Sequence, residues 1–172
     1  MIRCLALIAF LLPATAHAQE AEPHMTVERM AQIVLALDAE AAVSGPGFAL
    51  TIDDIPILIV TDVAANRMRA MVPIRSAETM TPDEMQRVMQ ANFDSALDAR
   101  YAVAQGRLWG VFIHPFKELE RDQLISGIAQ TVNIAKTYGS LYTGGATQFG
   151  RGDSGDLQRQ LIEDLLERGQ DI

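Results

Sequence analysis

The chain has 172 residues, a net charge of −8 and 49% apolar residues, enough for one globular domain with a proper core. Its basic residues are scattered, as in Arg67 and Arg69, Arg75, Lys117 and Arg121, so it lacks the concentrated basic face that nucleic acid or an anionic membrane surface requires. Its one cysteine is Cys4, which leaves the remainder without a disulfide, a thiol nucleophile or a thiolate metal ligand.

Residues 1–18 have the layout of a secretory signal peptide. Arg3 supplies the positive n-region and CLALIAFLL, from Cys4 to Leu12, the apolar run; Pro13 breaks that run, and Ala16-His17-Ala18 is a small-x-small cleavage pattern before Gln19. The run is shorter than the about 20 residues of a permanent transmembrane helix. The expectation is a periplasmic or secreted protein with no stable membrane anchor after cleavage. Its mature chain has 154 residues, no cysteine and a net charge near −9.

A short lead-in, 19–25, precedes the first helix. Thr26 is placed to cap it, and Val27, Met30, Val34 and Leu37 recur at helical spacing. Ser44-Gly45-Pro46-Gly47 then punctuates a turn. Three strands follow. Phe48, Leu50 and Ile52 alternate with Ala49, Thr51 and Asp53; Ile57 to Val60 is continuously apolar and reads as a central strand covered on both faces; Met68, Ala70 and Val72 face opposite to Arg67, Arg69 and Met71. Thr81-Pro82-Asp83-Glu84 is a capping box with proline at the first helical position, opening a helix whose apolar stripe Asn92 interrupts. Tyr101–Ala104 and Arg107–Ile113 make a hairpin across Gln105-Gly106, and a long helix runs from about Lys117 to Tyr138. The stretch 139–155 is too glycine-rich for regular structure, and a last helix lies within 156–172. The whole is an α+β domain: an antiparallel sheet of about five strands flanked by helices, in the order α-β-β-β-α-β-β-α, plus a C-terminal helix.

Few residues carry chemistry. His114 ends an apolar strand just before Pro115 and is the best general-base candidate, yet no G-x-S-x-G elbow or H-E-x-x-H accompanies it. Asp53 and Asp54 lack the oxygen spacing of a calcium loop and read as turn residues. The glycine-rich stretch has no G-K-[ST], so it is not a phosphate-binding loop. The methionines fall on apolar periodicities: Met68 and Met71 point to opposite faces of a strand, which argues against a shared thioether metal site and for packing or an adaptable contact surface. No catalytic or metal-ligating set is assigned, and no cofactor.

The helix over Thr26–Leu37, the strands over Phe48–Val72, the stretch TPDEMQRVMQANF with Asn92 and the hairpin YAVAQGRLWGVFI together resemble the bacterial YbjN-type domain, itself similar to the type III secretion chaperone fold. The resemblance covers roughly residues 26–138 and rests on the order of elements. It implies an antiparallel sheet flanked by helices, dimerisation, and binding of polypeptide segments without catalysis. Type III chaperones act in the cytoplasm, whereas this chain carries an export signal. The expected function is therefore an exported, non-enzymatic module that binds a polypeptide partner or a second copy of itself as a homodimer. Trp109, Phe112, His114, Met68 and Met71 are the candidate contact residues. A small-molecule or lipid-binding domain, and a hydrolase using His114, are the alternatives.

Overall fold

The computed structural model describes residues 22–94, 96–139 and 156–171. The expected leader and, but for Gly139, the glycine-rich stretch lie outside them. The elements in chain order are α1 (Val27–Leu37), β1 (Ala42–Ser44), β2 (Gly47–Ile52), β3 (Ile55–Asp62), β4 (Arg67–Ser76), α2 (Pro82–Asp94), β5 (Arg100–Ala104), β6 (Arg107–His114), α3 (Arg121–Lys136) and α4 (Asp156–Arg168), closed by a 3₁₀ turn over Gly169–Asp171.

Local chemistry sets most of these boundaries. The Thr26 hydroxyl accepts from the Arg29 amide at 3.1 Å and starts α1, which buries Met30, Ile33, Val34 and Leu37. At its other end the Asp38 carboxylate accepts from the Glu40 amide at 2.9 Å and from the Thr51 amide at 2.8 Å, tying the helix terminus to β2. The capping box at α2 forms as expected: the Thr81 hydroxyl accepts from the Glu84 amide at 3.2 Å, and the Glu84 carboxylate accepts from the Thr81 amide at 2.7 Å. Asp53 and Asp54 both take positive φ, 49° and 63°, and so make the tight turn between β2 and β3.

The six strands form one antiparallel sheet in the order β1-β2-β3-β4-β6-β5. β1 is a three-residue strand that periodicity cannot reveal. The chain leaves the sheet after β4 for α2 and returns at the edge as β5, so β6 pairs with both β4 and β5. A register shift between Pro73 and Arg75 marks a bulge in β4.

α1, α3 and α4 contribute to one core against a single face of the sheet. That core holds Met30, Ile33, Leu50, Ile57, Ile59, Ala70, Phe112, Leu124, Ile128 and Leu165. Full burial of one such aliphatic side chain contributes about 1.5–3 kcal/mol before entropy is charged against it. Gly127 lets α3 lie close to the sheet: a Cβ there would come within 2.5 Å of the Phe112 ring. A smaller core under α2 gathers Val88, Ala91, Ala99, Tyr101, Leu108 and Ile134.

Two expectations need correction. α3 begins at Arg121, not near Lys117. The backbone of the preceding turn is engaged elsewhere: the Phe116 and Lys117 amides donate to Asn66, and the Lys117 carbonyl accepts from the Met25 amide at 3.1 Å. Asn66 sits at φ 53°, which brings its own carbonyl and amide into that turn. The second correction concerns β3. It is not covered on both faces, because its outward residues Leu58 and Val60 are 41% and 48% exposed while Ile57 and Ile59 are fully buried.

Candidate functional site

The sheet separates the residues expected to share a contact surface. Met68 and Phe112 point to the helix-covered face, where they are 1% and 5% exposed, so they are core residues and not surface contacts. His114 lies opposite Met68 on that same face, at the half-buried end of β6. Met71 and Trp109 point the other way, opposite Val111 and Pro73 respectively.

His114 borders an open groove of about 610 Å³ whose lining includes Arg100, Phe112, Asp122, Gln123 and Ser126. Its Nδ1 lies 2.8 Å from the Pro115 carbonyl and its ring stacks on Phe112 with centroids 5.9 Å apart. The neighbouring polar groups have other partners. The Ser126 hydroxyl accepts from Gln130 Nε2 at 3.2 Å, and the Asp122 carboxylate accepts from Arg121 Nε at 2.8 Å. A general base needs its nucleophile within hydrogen-bond reach and an orienting group behind it; here, among the described residues, the imidazole's hydrogen-bond partner is the Pro115 carbonyl. Among the described residues, no cluster of three or more His, Cys, Asp or Glu side chains is placed to hold a metal ion. No described helix is long and apolar enough to cross a membrane.

The other face of the sheet offers a different kind of site. Cross-strand register aligns Ala42, Ala49, Leu58, Met71 and Val111 in one outward row over five strands. Beside it run Val60, Arg69 and Ile113, the last 52% exposed. On the opposite flank lie Pro73, Trp109 and Ala102. The indole N–H donates to the Ala104 carbonyl at 3.1 Å, so its polar atom is satisfied within the sheet. The Arg107 guanidinium lies over the ring at 5.9 Å. Apolar side chains on a half-wet sheet face form a surface that can exclude water against a complementary apolar one.

Leu58, Val60 and Ile113 were not among the expected contact residues. The run Ile57–Val60 contains no polar residue, so by itself it reads as two-sided. The legible signal was in the neighbouring strand. Arg67 and Arg69 alternate with buried Met68 and Ala70, and pairing of Val60 with Arg69 makes Val60 share the arginine's wet face.

α2 carries a further apolar surface. Met89 and Phe93 stand one helical turn apart and Leu97 follows the helix end; all three are exposed, Phe93 by 73%.

No protein-family model matches this chain, and no curated protein matches it. Among solved structures it is similar in fold to a chain of the HopA1–SchA chaperone–effector complex, at 8% identity and a TM-score of 0.49, covering 63% of this chain and 91% of that one. It is also similar to a chain in the structure of the Yersinia pestis type III secretion chaperone SycH in complex with a stable fragment of YscM2, at 15% identity and a TM-score of 0.48, covering 62% of this chain and 96% of that one.

Proposed function

We propose that this protein is an exported, non-enzymatic module of the YbjN-type, chaperone-like kind that binds a polypeptide partner through the open face of its sheet. One observation carries the reading: a six-stranded sheet with its core on one side presents an apolar row on the other. Export rests on the leader pattern of residues 1–18, and self-association is assigned to the exposed apolar surface of α2.

Site-specific photocrosslinking in cells tests the reading. The full chain, expressed with its leader, carries the crosslinker at Leu58, at Ile113 or at Glu163 on α4. The expected product is an extracytoplasmic protein starting at Gln19, with polypeptide adducts at positions 58 and 113 and few at 163. Equal adducts at all three positions, or adducts at none, would end the sheet-face assignment. A product that retains Met1 would end the export assignment.

A further inference from the structure

The outward face of the sheet has a charge opposite to that of the molecule. Its charged strand positions are Arg67, Arg69, Arg100 and Arg107 with Asp62 as the single acid, in a chain of 22 acidic and 14 basic residues. Arg100 is engaged by the carbonyls of Ala96, Leu97 and Ala99. Arg67 bonds only the neighbouring Asn66 carbonyl, Arg107 lies over Trp109, and none of Arg67, Arg69 and Arg107 forms an ion pair among the described residues. Elsewhere five basic side chains are ion-paired, Arg29 with Glu22, Arg75 with Glu84, Arg121 with Asp122, Lys136 with Asp53 and Arg168 with Asp164, while Arg87 and Lys117 are in no ion pair among the described residues. The arginines stand at both ends of the face, Arg67 and Arg69 beside the β3–β4 turn and Arg107 at the β5–β6 turn, with the apolar row between them.

We propose that this face receives an acidic amphipathic segment of a partner polypeptide, its apolar stripe on the row Ala49, Leu58, Met71 and Val111 and its carboxylates on Arg69 and Arg107, with Arg67 beside them. The inference rests on the polypeptide-binding reading above and names the partner's chemistry. Strands about 4.8 Å apart make this four-strand row about 14 Å long, the length of roughly 10 helical residues. A second copy fits poorly: a two-fold contact would set the same arginines against each other with Asp62 alone to offset them. An anionic bilayer is an extended plane that meets the whole field of a chain with net charge −8, whereas a segment meets only the local arginines within a Debye length of about 8 Å.

Trp109 is the chain's one tryptophan, so its emission reports occupancy of this face. The full chain is titrated with three probes. The first is a helix-forming peptide of about 16 residues, with leucine on one face and glutamate on the other. The second is its counterpart with lysine for glutamate, and the third is phosphatidylglycerol vesicles. The glutamate peptide is expected to shift Trp109 emission saturably and to bind at least about tenfold more tightly than the lysine peptide, with an affinity that falls as salt is added. Combining Arg69→Glu with Arg107→Glu, both on exposed side chains, should reverse the order while the melting temperature stays close to that of the native chain. A preference of the native chain for the lysine peptide, or equal affinity for both, overturns the acidic-partner inference and leaves polypeptide binding standing. A shift with vesicles and with neither peptide overturns both. A shift that depends on protein concentration alone shows that a second copy covers the face, and also overturns the inference.

Discussion

Asn92 shows how one polar residue on an otherwise apolar helix stripe is used. Its side chain takes the place of a further strand beside β5: the Tyr101 amide donates to Asn92 Oδ1 at 2.7 Å, and Asn92 Nδ2 donates to the Tyr101 carbonyl at 3.0 Å. The edge strand is thereby closed near its start, where open backbone groups would otherwise invite another chain. Asn92→Leu keeps the bulk and leaves both groups unmet, so urea denaturation should show a loss of about 1–3 kcal/mol. A loss under about 0.5 kcal/mol would mean that water replaces the amide without cost. Glu84 carries a pH dependence. The hydrogen bond from the Thr81 backbone amide, followed by that from the Thr81 side chain and the charge of Arg75, holds its carboxyl below the ordinary 4.5. A carboxyl lowered in the folded state stabilises the fold above its unfolded value, and that contribution is lost as pH falls from about 4.5 through the folded value. The melting temperature of the native chain should therefore exceed that of Glu84→Gln by a constant margin near neutrality, and the margin should close in acid. A margin that widens in acid would contradict the capping geometry.

At the scale of the element, β3 carries the largest departure from the sequence reading. An apolar strand is covered on both faces only when helices pack on both sides of its sheet, and here α1, α3 and α4 share one side. Purified Leu58→Ser and Val60→Ser variants should stay within about 0.5 kcal/mol of the native chain. Ile59→Ala, one residue away on the packed face, should cost about 2–5 kcal/mol by urea denaturation. A cost above about 1.5 kcal/mol at Leu58 would mean that something in the isolated protein covers the outer face. α1, the α2 capping box and the hairpin turns at Asp53-Asp54 and Gln105-Gly106 were legible because each rests on contacts within a few residues. β1 and the true start of α3 were not. β1 exists because β2 offers it a partner, and α3 is delayed because Asn66, some 50 residues earlier, engages the backbone before it.

For the whole molecule, the exposed apolar surface includes two groups, one on the outer sheet face and one on α2, and the two have different expected roles. If α2 joins two copies, sedimentation should show a concentration-dependent dimer. Met89→Arg should shift it to monomer, whereas Val60→Arg should leave it unchanged. The reverse result would place self-association on the sheet and remove that face from partner binding. His114 illustrates the limit of a single-residue assignment at this scale. Its position at a strand end before Pro115 is evident from the sequence, but only the fold shows its ring stacked on Phe112 and its Nδ1 against a backbone carbonyl.

The amino-acid order by itself determined the α+β class, the order of the helices and of every strand but β1, most of the caps and turns, and the alternation that sends Met68 and Met71 to opposite faces. These depend on spacing and on hydrogen bonds between near neighbours. Only the tertiary structure decided which faces stay open. Exposure of a strand depends on whether a distant helix lies over it, and all three helices of the main core take the same side. The candidate contact residues divided for that reason: Met68 and Phe112 became core, while Leu58, Val60 and Ile113 joined Met71 and Trp109 on a face with arginines at both ends.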